Sequence, residues 1–307
     1  MDKDYDVIIV GGGPAGLSAA LVLARSRRKI LLCDNGRPRN FKVQEMHGYL
    51  TRDGVAPLDF LNLGRNELKK YGVRIQSIEI IKAVKVKKLF NLTARTGETF
   101  TSKSLLLATG IKDHLPEIPG IEEYYGKSVF HCPYCDGWEN RDKKIAVYAK
   151  RGKAGAALSF ALKHWSNDVV YCSDGSTRIN DDDKDLLTKA GIPIYLQKIK
   201  GLEGQSGFLK KIIFEDESLI DRDVIFFSTG TSQSSNLGKQ LGCNLSKEGF
   251  LLFNNKQKTN IEGIFAAGDT VHEVKFVIVA AAEGAKAAMA INKSLLDEEA
   301  EIIRSKK

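Results

Sequence analysis

The residues most suited to chemistry are two cysteines, Cys132 and Cys135, in the stretch H-C-P-Y-C-D-G at 131–137. Two thiols at this spacing can close a small disulfide ring, and such pairs often carry a lowered thiol pKa. A zinc site usually needs two such pairs, or one pair with two histidines, and the five histidines here show no ligand spacing. The pattern therefore predicts a redox-active disulfide and no bound metal.

The other three cysteines, Cys33, Cys172 and Cys243, are far apart in the sequence. Cys33 and Cys172 lie in apolar, strand-like stretches, where a buried and inert thiol is expected. An odd number of cysteines in a chain of 307 residues argues against a secreted disulfide scaffold. The first residues show no signal-peptide pattern, and no apolar run reaches the roughly 18 residues of a spanning helix. We therefore expect a cytoplasmic protein without a membrane segment.

The formal net charge of the chain is +8. Lysines and arginines are spread along the sequence rather than gathered in one block, which favours a solvated basic surface over a nucleic-acid site. A less favoured alternative is attraction of an acidic protein partner. The charge therefore gives no reason to expect nucleic acid as a ligand.

A glycine-rich turn follows the first apolar stretch and has the pattern G-x-G-x-x-G. A buried strand precedes the turn and a helical run, 17–24, follows it. In such motifs the first glycine permits a tight turn, the second lets the backbone approach a pyrophosphate at the helix N-terminus, and the third lets helix and strand pack. An acid at the end of the next strand, Asp34, suits a ribose hydroxyl. The predicted dinucleotide-binding turn consists of Gly11, Gly13, Pro14, Ala15 and Gly16.

A dinucleotide site and a redox disulfide in one chain indicate which cofactor is bound. A disulfide by itself cannot accept a hydride, whereas a flavin accepts two electrons as hydride and passes them to a disulfide. The two motifs together therefore predict FAD and electron transfer between the flavin and the dithiol.

Two copies of one βαβ-based plan organise the chain. The first copy ends in A-T-G at 108–110 and the second in S-T-G at 228–230, with a proline-containing linker at 114–120 after the first. The last segment is too short to fold alone, so we expect it to return to the first domain. Its helix, at about 277–296, is expected to end in a frayed charged tail after Asp297.

This organisation predicts an α/β fold with two Rossmann-like, three-layer dinucleotide-binding domains, the second inserted in the first. The FAD-binding domain is expected at 1–115 and 243–307. The inserted domain, at 116–242, is expected to resemble an NAD(P)H-binding domain and to carry the cysteine pair.

Four motifs in this order resemble those of low-molecular-weight thioredoxin reductases over essentially the whole chain. They are the turn at 11–16, L-A-T-G at 107–110, C-P-Y-C-D at 132–136 and G-I-F-A-A-G-D at 263–269. The resemblance implies that Cys135 lies against the flavin, that Cys132 exchanges with an external disulfide and that Asp136 moves protons. It implies further that Asp269 holds the ribityl chain. The remaining positions that it assigns to the FAD site are Thr109, Gly110, Gly268, Lys275 and Phe276.

The same resemblance implies a homodimer and a thioredoxin-like protein as substrate. Lys275 and Phe276 depart from the reductase pattern, which has an arginine and a glutamine near those places. His131 is also untypical of the reductases, and we expect it either to tune the thiols or to serve in packing.

The second glycine turn departs further from that pattern. It reads K-R-G-K-A-G at 150–155, and the next strand ends in C-S-D-G at 172–175, without the arginine pair that binds the 2′-phosphate of NADPH. Asp174 would repel that phosphate and could accept from a ribose hydroxyl. Either the nicotinamide site is lost or it takes NADH, which leaves NAD(P)H open as the electron donor.

The stretch M-H-G-Y-L-T-R-D-G at 46–54 resembles a divergent branch of the family that includes oxidases of small dithiols. We therefore predict an FAD-dependent disulfide oxidoreductase that acts on a thioredoxin-like protein or on a small-molecule dithiol or disulfide. Two alternatives stay open: an oxygen-dependent oxidase of small dithiols, and a reductase fed by another donor such as ferredoxin. A non-catalytic flavoprotein scaffold is disfavoured while both cysteines and Asp136 are present.

Overall fold

A computed structural model of the chain describes residues 4–271 and 274–305, so that His272 lies outside the described residues. The first part of the chain forms strands and helices in an order that begins with strand, glycine turn and helix. These elements are β1 (Asp4–Val10), α1 (Pro14–Arg25), β2 (Ile30–Asp34), α2 (Pro57–Lys69), β3 (Arg74–Ser77), β4 (Ile80–Val86), β5 (Leu89–Ala94), β6 (Thr99–Leu107) and β7 (Ile111–Asp113).

The first six strands form one large sheet in the order β3-β2-β1-β6-β5-β4, and β17 (Ile264–Ala266) joins it beside β6. Strands β3, β2, β1, β6 and β17 run parallel to one another. Strand β5 is antiparallel to its neighbours β6 and β4. Val7, Ile8 and Ile9 of β1 are fully buried. Continuous apolar sequence is expected for parallel strands that are covered on both faces.

The middle of the chain forms a second parallel sheet. Its elements are α3 (Ile121–Tyr124), β8 (Val129–Phe130), α4 (Pro133–Asp136), β9 (Ile145–Tyr148), α5 (Gly152–Leu162), β10 (Val169–Cys172), α6 (Asp181–Lys189), β11 (Ile194–Tyr195), β12 (Ile199–Gln205), β13 (Phe208–Phe214), β14 (Leu219–Asp221) and β15 (Val224–Phe227). Five strands pair in the order β11-β10-β9-β15-β8, all parallel, and β12-β13-β14 form a separate antiparallel sheet.

Two connecting segments join this middle part to the first sheet. They lie side by side, since β7 pairs antiparallel with β16 (Thr231–Gln233). After β16 come α7 (Leu237–Gln240), β17 and α8 (Val277–Arg304), which return to the first sheet and to α1. The fold is therefore α/β with two Rossmann-like units, the second inserted in the first, as predicted. The boundaries after 115 and after 242 stay a proposal. Gln240 donates to the carbonyl oxygen of Ile81 at 2.9 Å, which favours a boundary before α7.

Helices α1 and α8 pack closely because small residues face each other. A Cβ at Gly284 would lie 2.0 Å from the carbonyl oxygen of Ala15, so only glycine allows this approach. Helix α8 continues to Arg304, beyond the end expected from the sequence. Arg28 contacts both parts of this helix, since it donates to Asn292 at 2.7 Å and pairs with Glu299 in the extension. Within 4–271 and 274–305, no helix is both long and apolar enough to cross a bilayer.

Candidate functional site

The turn between β1 and α1 is closed on its protein side and open towards solvent. Gly11 has a φ of +111°, and a Cβ there would lie 2.1 Å from the carbonyl oxygen of Ala108. A Cβ at Gly16 would lie 1.9 Å from the carbonyl oxygen of Gly11. A Cβ at Gly13, by contrast, has no neighbour within 4 Å. This geometry fits a pyrophosphate, which backbone N–H groups would bind at the N-terminus of α1.

One groove leads from this turn to the redox motif. It is lined by these predicted site residues: Gly11, Gly13, Pro14, Ala15, Asp34, Thr109, Gly110, Cys135, Asp136, Gly268, Asp269, Lys275 and Phe276. Gly16 lies beneath the turn, where it permits the packing of α1. Cys132 is not part of the lining. The fold thus brings together, in one groove, residues from both ends and from the middle of the chain.

Asp34 ends β2 beside the glycine turn, at the place expected for a ribose-binding acid. Its Oδ2 accepts from Arg65 at 2.8 Å, and its Oδ1 accepts from the N–H of Gly36 at 3.2 Å. A Cβ at Gly12 would lie 2.5 Å from the Asp34 carboxyl carbon, which shows how closely the carboxylate approaches the turn. The contact of Arg65 with Asp34 could not be predicted from the glycine motif, because Arg65 lies in a separate segment, helix α2.

Cys132 and Cys135 form a disulfide at the start of α4, with their Cα atoms 5.3 Å apart. Cys132 is the N-cap of this helix, and the N–H groups of Cys135 and Asp136 both donate to its carbonyl oxygen at 3.1 Å. The turn places Cys135 in the wall of the groove and Cys132 off it. The two sulfurs therefore have different surroundings.

The other three thiols are buried in the fold, as was expected for Cys33 and Cys172. Burial raises the pKa of Cys33 and of Cys172 to about 12. A thiol with so high a pKa is a poor nucleophile at neutral pH, because the thiolate is the reactive form. In the part of the chain that the structure describes, no three His, Cys, Asp or Glu side chains are placed to hold a metal ion.

Asp136 lies in the groove next to Cys135. Burial of its carboxyl group, and secondarily the charge of Glu139, raise the pKa of Asp136 to about 7, while His47 opposes the shift. The ordinary pKa of aspartate is about 3.9. Both protonation states of Asp136 are therefore populated at neutral pH, so that this carboxyl group can donate a proton to a thiolate and take it back.

Arg39 joins several parts of the groove, although no sequence motif pointed to it. Its Nε and Nη2 donate to the two carboxylate oxygens of Asp113 at 2.8 and 2.6 Å. Its Nη1 lies 3.2 Å from the carboxylate of Asp269, and its Nη2 donates to Nε2 of His131 at 2.7 Å. Asp113 also accepts from the Tyr125 hydroxyl at 3.1 Å. The network connects the predicted ribityl-binding acid to the residue before the first redox cysteine.

This network keeps His131 neutral. A guanidinium group has donors only, so Nε2 of His131 must accept, and the ring hydrogen is assigned to Nδ1. Burial and the positive charge of Arg39 lower the pKa of His131 to about 4, although Asp113 acts in the opposite direction. The His131 ring also lies 6.0 Å from the ring of Phe227. Next to Cys132, His131 is therefore a packed, neutral hydrogen-bonding group and not a cation.

We expect Arg39→Leu to lower the free energy of unfolding by about 3 kcal/mol, because it leaves Asp113 buried without its counter-ion. The side chains of Arg39 and Asp113 are only 15% and 6% exposed, so water cannot replace the lost contacts. Urea denaturation would measure the change. Arg95→Leu is the matched control, since Arg95 pairs with Glu79 on the surface at 2.8 Å and its loss should matter far less. Equal losses in the two variants would contradict this account.

The second glycine turn, at 150–155, is covered by its own chain. The N–H of Gly152 at the start of α5 donates to the carbonyl oxygen of Arg178 at 3.0 Å, and a Cβ at Gly152 would lie 2.0 Å from the same oxygen. The hydroxyl of Ser176 donates to the carbonyl oxygen of Lys150 at 2.7 Å. The loop after β10 thus lies against the N-terminus of α5, where a Rossmann-like domain would bind the phosphates of a second dinucleotide.

Asp174, which the sequence places where a ribose hydroxyl or a 2′-phosphate would bind, lies beside this turn and has partners within the protein. It is buried, with Oδ2 accepting from the hydroxyl of Tyr148 at 2.8 Å and Oδ1 accepting from the N–H of Ile199 at 2.9 Å. The ammonium of Lys150 lies 3.4 Å from the same carboxylate. Asp174 and Lys150 are therefore both engaged with groups of the protein itself.

Comparisons with known proteins agree with this geometry. Residues 5–284 match the family described as pyridine nucleotide-disulphide oxidoreductase. The chain is 32% identical to thioredoxin reductase tcpT of Claviceps purpurea, over 86% of each chain. Among solved structures, it superposes with a TM-score of 0.92 on a candidate thioredoxin reductase, TrxB, from Bacillus anthracis, at 35% identity and over 96% of this chain and 99% of the other.

It superposes equally well on the structure of HlmI, with a TM-score of 0.93, 32% identity and coverage of 99% of this chain and 97% of the other. Both the sequence match and the structural match extend over both parallel sheets rather than over one of them. The chain therefore belongs to the pyridine nucleotide-disulphide oxidoreductase family and is a disulfide oxidoreductase of the thioredoxin reductase type.

Proposed function

We propose that this chain binds FAD in the groove and exchanges electrons between the flavin, the Cys132–Cys135 disulfide and an external thiol or disulfide. The observation that carries the proposal is the single groove that joins the open glycine turn to Cys135. Bound FAD would supply a two-electron carrier beside this cysteine. Gly11, Gly13 and the N-terminus of α1 would hold the pyrophosphate, and Asp34 and Asp269 would bind ribose and ribityl hydroxyls.

The two cysteines would then have different roles in disulfide exchange. Cys132, which is partly exposed and lies off the groove, would attack an external disulfide R–S–S–R, forming a bond to one sulfur and releasing the other as RS⁻. Cys135 would next attack Cys132, restoring the internal disulfide and releasing the second RS⁻. Asp136 would supply a proton to a departing thiolate. In sum, one dithiol is oxidised, one disulfide is reduced and two RSH are formed.

We further propose a thioredoxin-like protein as the partner, a homodimer as the assembly and the cytoplasm as the location. The name of the Claviceps purpurea relative supports the first of these. The three buried free thiols fit a reducing compartment. A small-molecule dithiol or disulfide stays the alternative substrate, and analysis of turnover with both substrate classes would distinguish them.

We expect this protein to differ from NADPH-dependent reductases in its electron donor. The loop of Arg178 occupies the N-terminus of α5, and no arginine pair follows β10 to bind a 2′-phosphate. This observation keeps two alternatives open, in which electrons come from another donor, such as ferredoxin, or pass from a dithiol to oxygen.

We therefore expect the purified protein to be yellow and to contain FAD, yet to be reduced poorly by NADPH and no better by NADPH than by NADH. Loss of charged contacts to the 2′-phosphate is worth roughly tenfold or more in affinity. Anaerobic titration with each nucleotide, monitored by bleaching of the flavin absorbance, would measure this, with dithionite as the control for full reduction. Efficient, NADPH-selective bleaching would contradict the donor assignment, and a colourless protein from a flavin-replete host would contradict the FAD assignment.

A further inference from the structure

The segment M-H-G-Y-L-T-R-D-G-V at 46–55 forms a compact loop that the proposed function does not yet use. Met46 and Val55 form a β-bridge that closes its base. Inside the loop, the N–H of Gly48 donates to Oδ1 of Asp53 at 2.8 Å. The Gly48 backbone also lies against the Phe276 ring, since a Cβ there would be 3.1 Å from it. The loop is thus held in one shape, and it presents His47 to the groove.

Carboxylates surround His47. Its Nδ1 lies 3.5 Å from Asp53, and its Nε2 lies 3.7 Å from Glu45 and 3.6 Å from Glu139. The side chain of His47 is 15% exposed, whereas those of Glu45 and Asp53 are 59% and 67% exposed. Glu139 lies two residues after the redox motif at 131–137, so this contact joins the loop to the cysteine segment. His47 is therefore an inner member of a cluster whose outer members reach solvent.

A second cavity connects this cluster with Asp136. Its lining includes Glu45, His47, Asp136, Glu139 and Lys143. Asp136 and His47 also line the groove in which we propose that FAD binds. These two side chains therefore stand between that groove and the second cavity. Within residues 4–271 and 274–305, the second cavity supplies the polar side chains that lead from Asp136 towards the surface. The remaining charged group at its rim is Lys127.

We propose that His47 is a positioning residue that relays protons between Asp136 and solvent, with Glu45, Asp53 and Glu139 holding its imidazole. The inference rests on the proposed disulfide exchange. When an external disulfide is reduced, the departing RS⁻ takes the proton of Asp136 and leaves as RSH. Protonated His47 then returns a proton to the Asp136 carboxylate, and His47 is reprotonated from water through the exposed carboxylates. Cys132 and Cys135 release their thiol protons to solvent as they become the attacking thiolates, so two RSH form without net proton uptake. Electrons flow only from the dithiol to the external disulfide.

If His47 relays protons, the effect of its substitution on the reduction rate should depend on how basic the leaving thiolate is. A disulfide of alkyl thiols, such as hydroxyethyl disulfide, releases a strongly basic thiolate that needs a proton, whereas 5,5′-dithiobis(2-nitrobenzoate) releases a weakly basic one that leaves unaided. His47→Gln should slow reduction of the alkyl disulfide roughly tenfold or more at pH 7 and change reduction of the aromatic one by less than about threefold. The measurement is anaerobic stopped-flow reoxidation of the FAD holoenzyme, reduced beforehand with one equivalent of dithionite.

His164→Gln is the matched control, because His164 is exposed on the second domain and lines neither cavity. Added imidazole should restore part of the rate in His47→Ala, since the second cavity gives it access to Asp136. Equal slowing of both disulfides, or of neither, would overturn the relay, as would a failure of imidazole to act on His47→Ala. If the wild-type protein reduced neither of these disulfides nor oxidised thioredoxin, the proposed function itself would be overturned, and the relay with it.

Discussion

Cys135→Ser and Cys132→Ser are expected to abolish disulfide turnover alike, by on the order of 10³-fold or more, because the two sulfurs act as one unit. Their absorption spectra should nevertheless differ. Cys135 lines the groove of the predicted FAD site and Cys132 does not. A thiolate of Cys135 beside oxidised flavin should give a long-wavelength absorption band. Cys132→Ser should keep this band, and Cys135→Ser should lose it.

Anaerobic absorption spectra of both variants, together with turnover of a generic disulfide, would test these roles. Cys243→Ala is the control, because Cys243 is a buried thiol outside the groove and its loss should leave both readouts unchanged. A band that survives in Cys135→Ser but disappears in Cys132→Ser would reverse the assignment. Normal turnover in either variant would show that the motif has a structural role only.

Gly13→Ala should weaken FAD retention roughly tenfold or more while the protein stays folded. A Cβ at this position meets no protein atom within 4 Å, so the fold itself can accept the methyl group. The same methyl group would stand where the backbone must approach the pyrophosphate. The ratio of FAD to protein after gel filtration, with a urea denaturation curve of the apoprotein, would separate binding from stability.

Gly201→Ala is the matched control for this variant. Gly201 lies in β12 of the second domain, has no neighbour within 4 Å of a Cβ and does not adopt a positive φ. It should therefore keep the wild-type FAD content. If Gly13→Ala retained FAD as well as Gly201→Ala does, the open face of the turn would not be the pyrophosphate site.

Local sequence was sufficient wherever chemistry depends on residues that are close together in the chain. The glycine turn, the C-x-x-C pair and the doubled βαβ plan each consist of short-range patterns with a direct physical meaning. They predicted the α/β fold with one domain inserted in the other, and the glycine turn and Cys135 in the lining of the groove. The family resemblance added further lining residues, among them Asp136 and Asp269. Burial of Cys33 and Cys172 followed in the same way from the apolar strands around them.

Tertiary structure decided the features that depend on partners far apart in the chain. Arg39 meets Asp113 and Asp269, and His47 meets Glu139, only because separate segments converge on the groove. The raised pKa of Asp136 has the same origin, since burial and not the residue type causes it. Asp174 shows the opposite case, in which an acid at a nucleotide-like position is turned inward by Tyr148 and the N–H of Ile199. The sequence by itself thus determined which chemical groups are present, and folding determined the charge, partner and accessibility of each, because these properties arise from long-range packing.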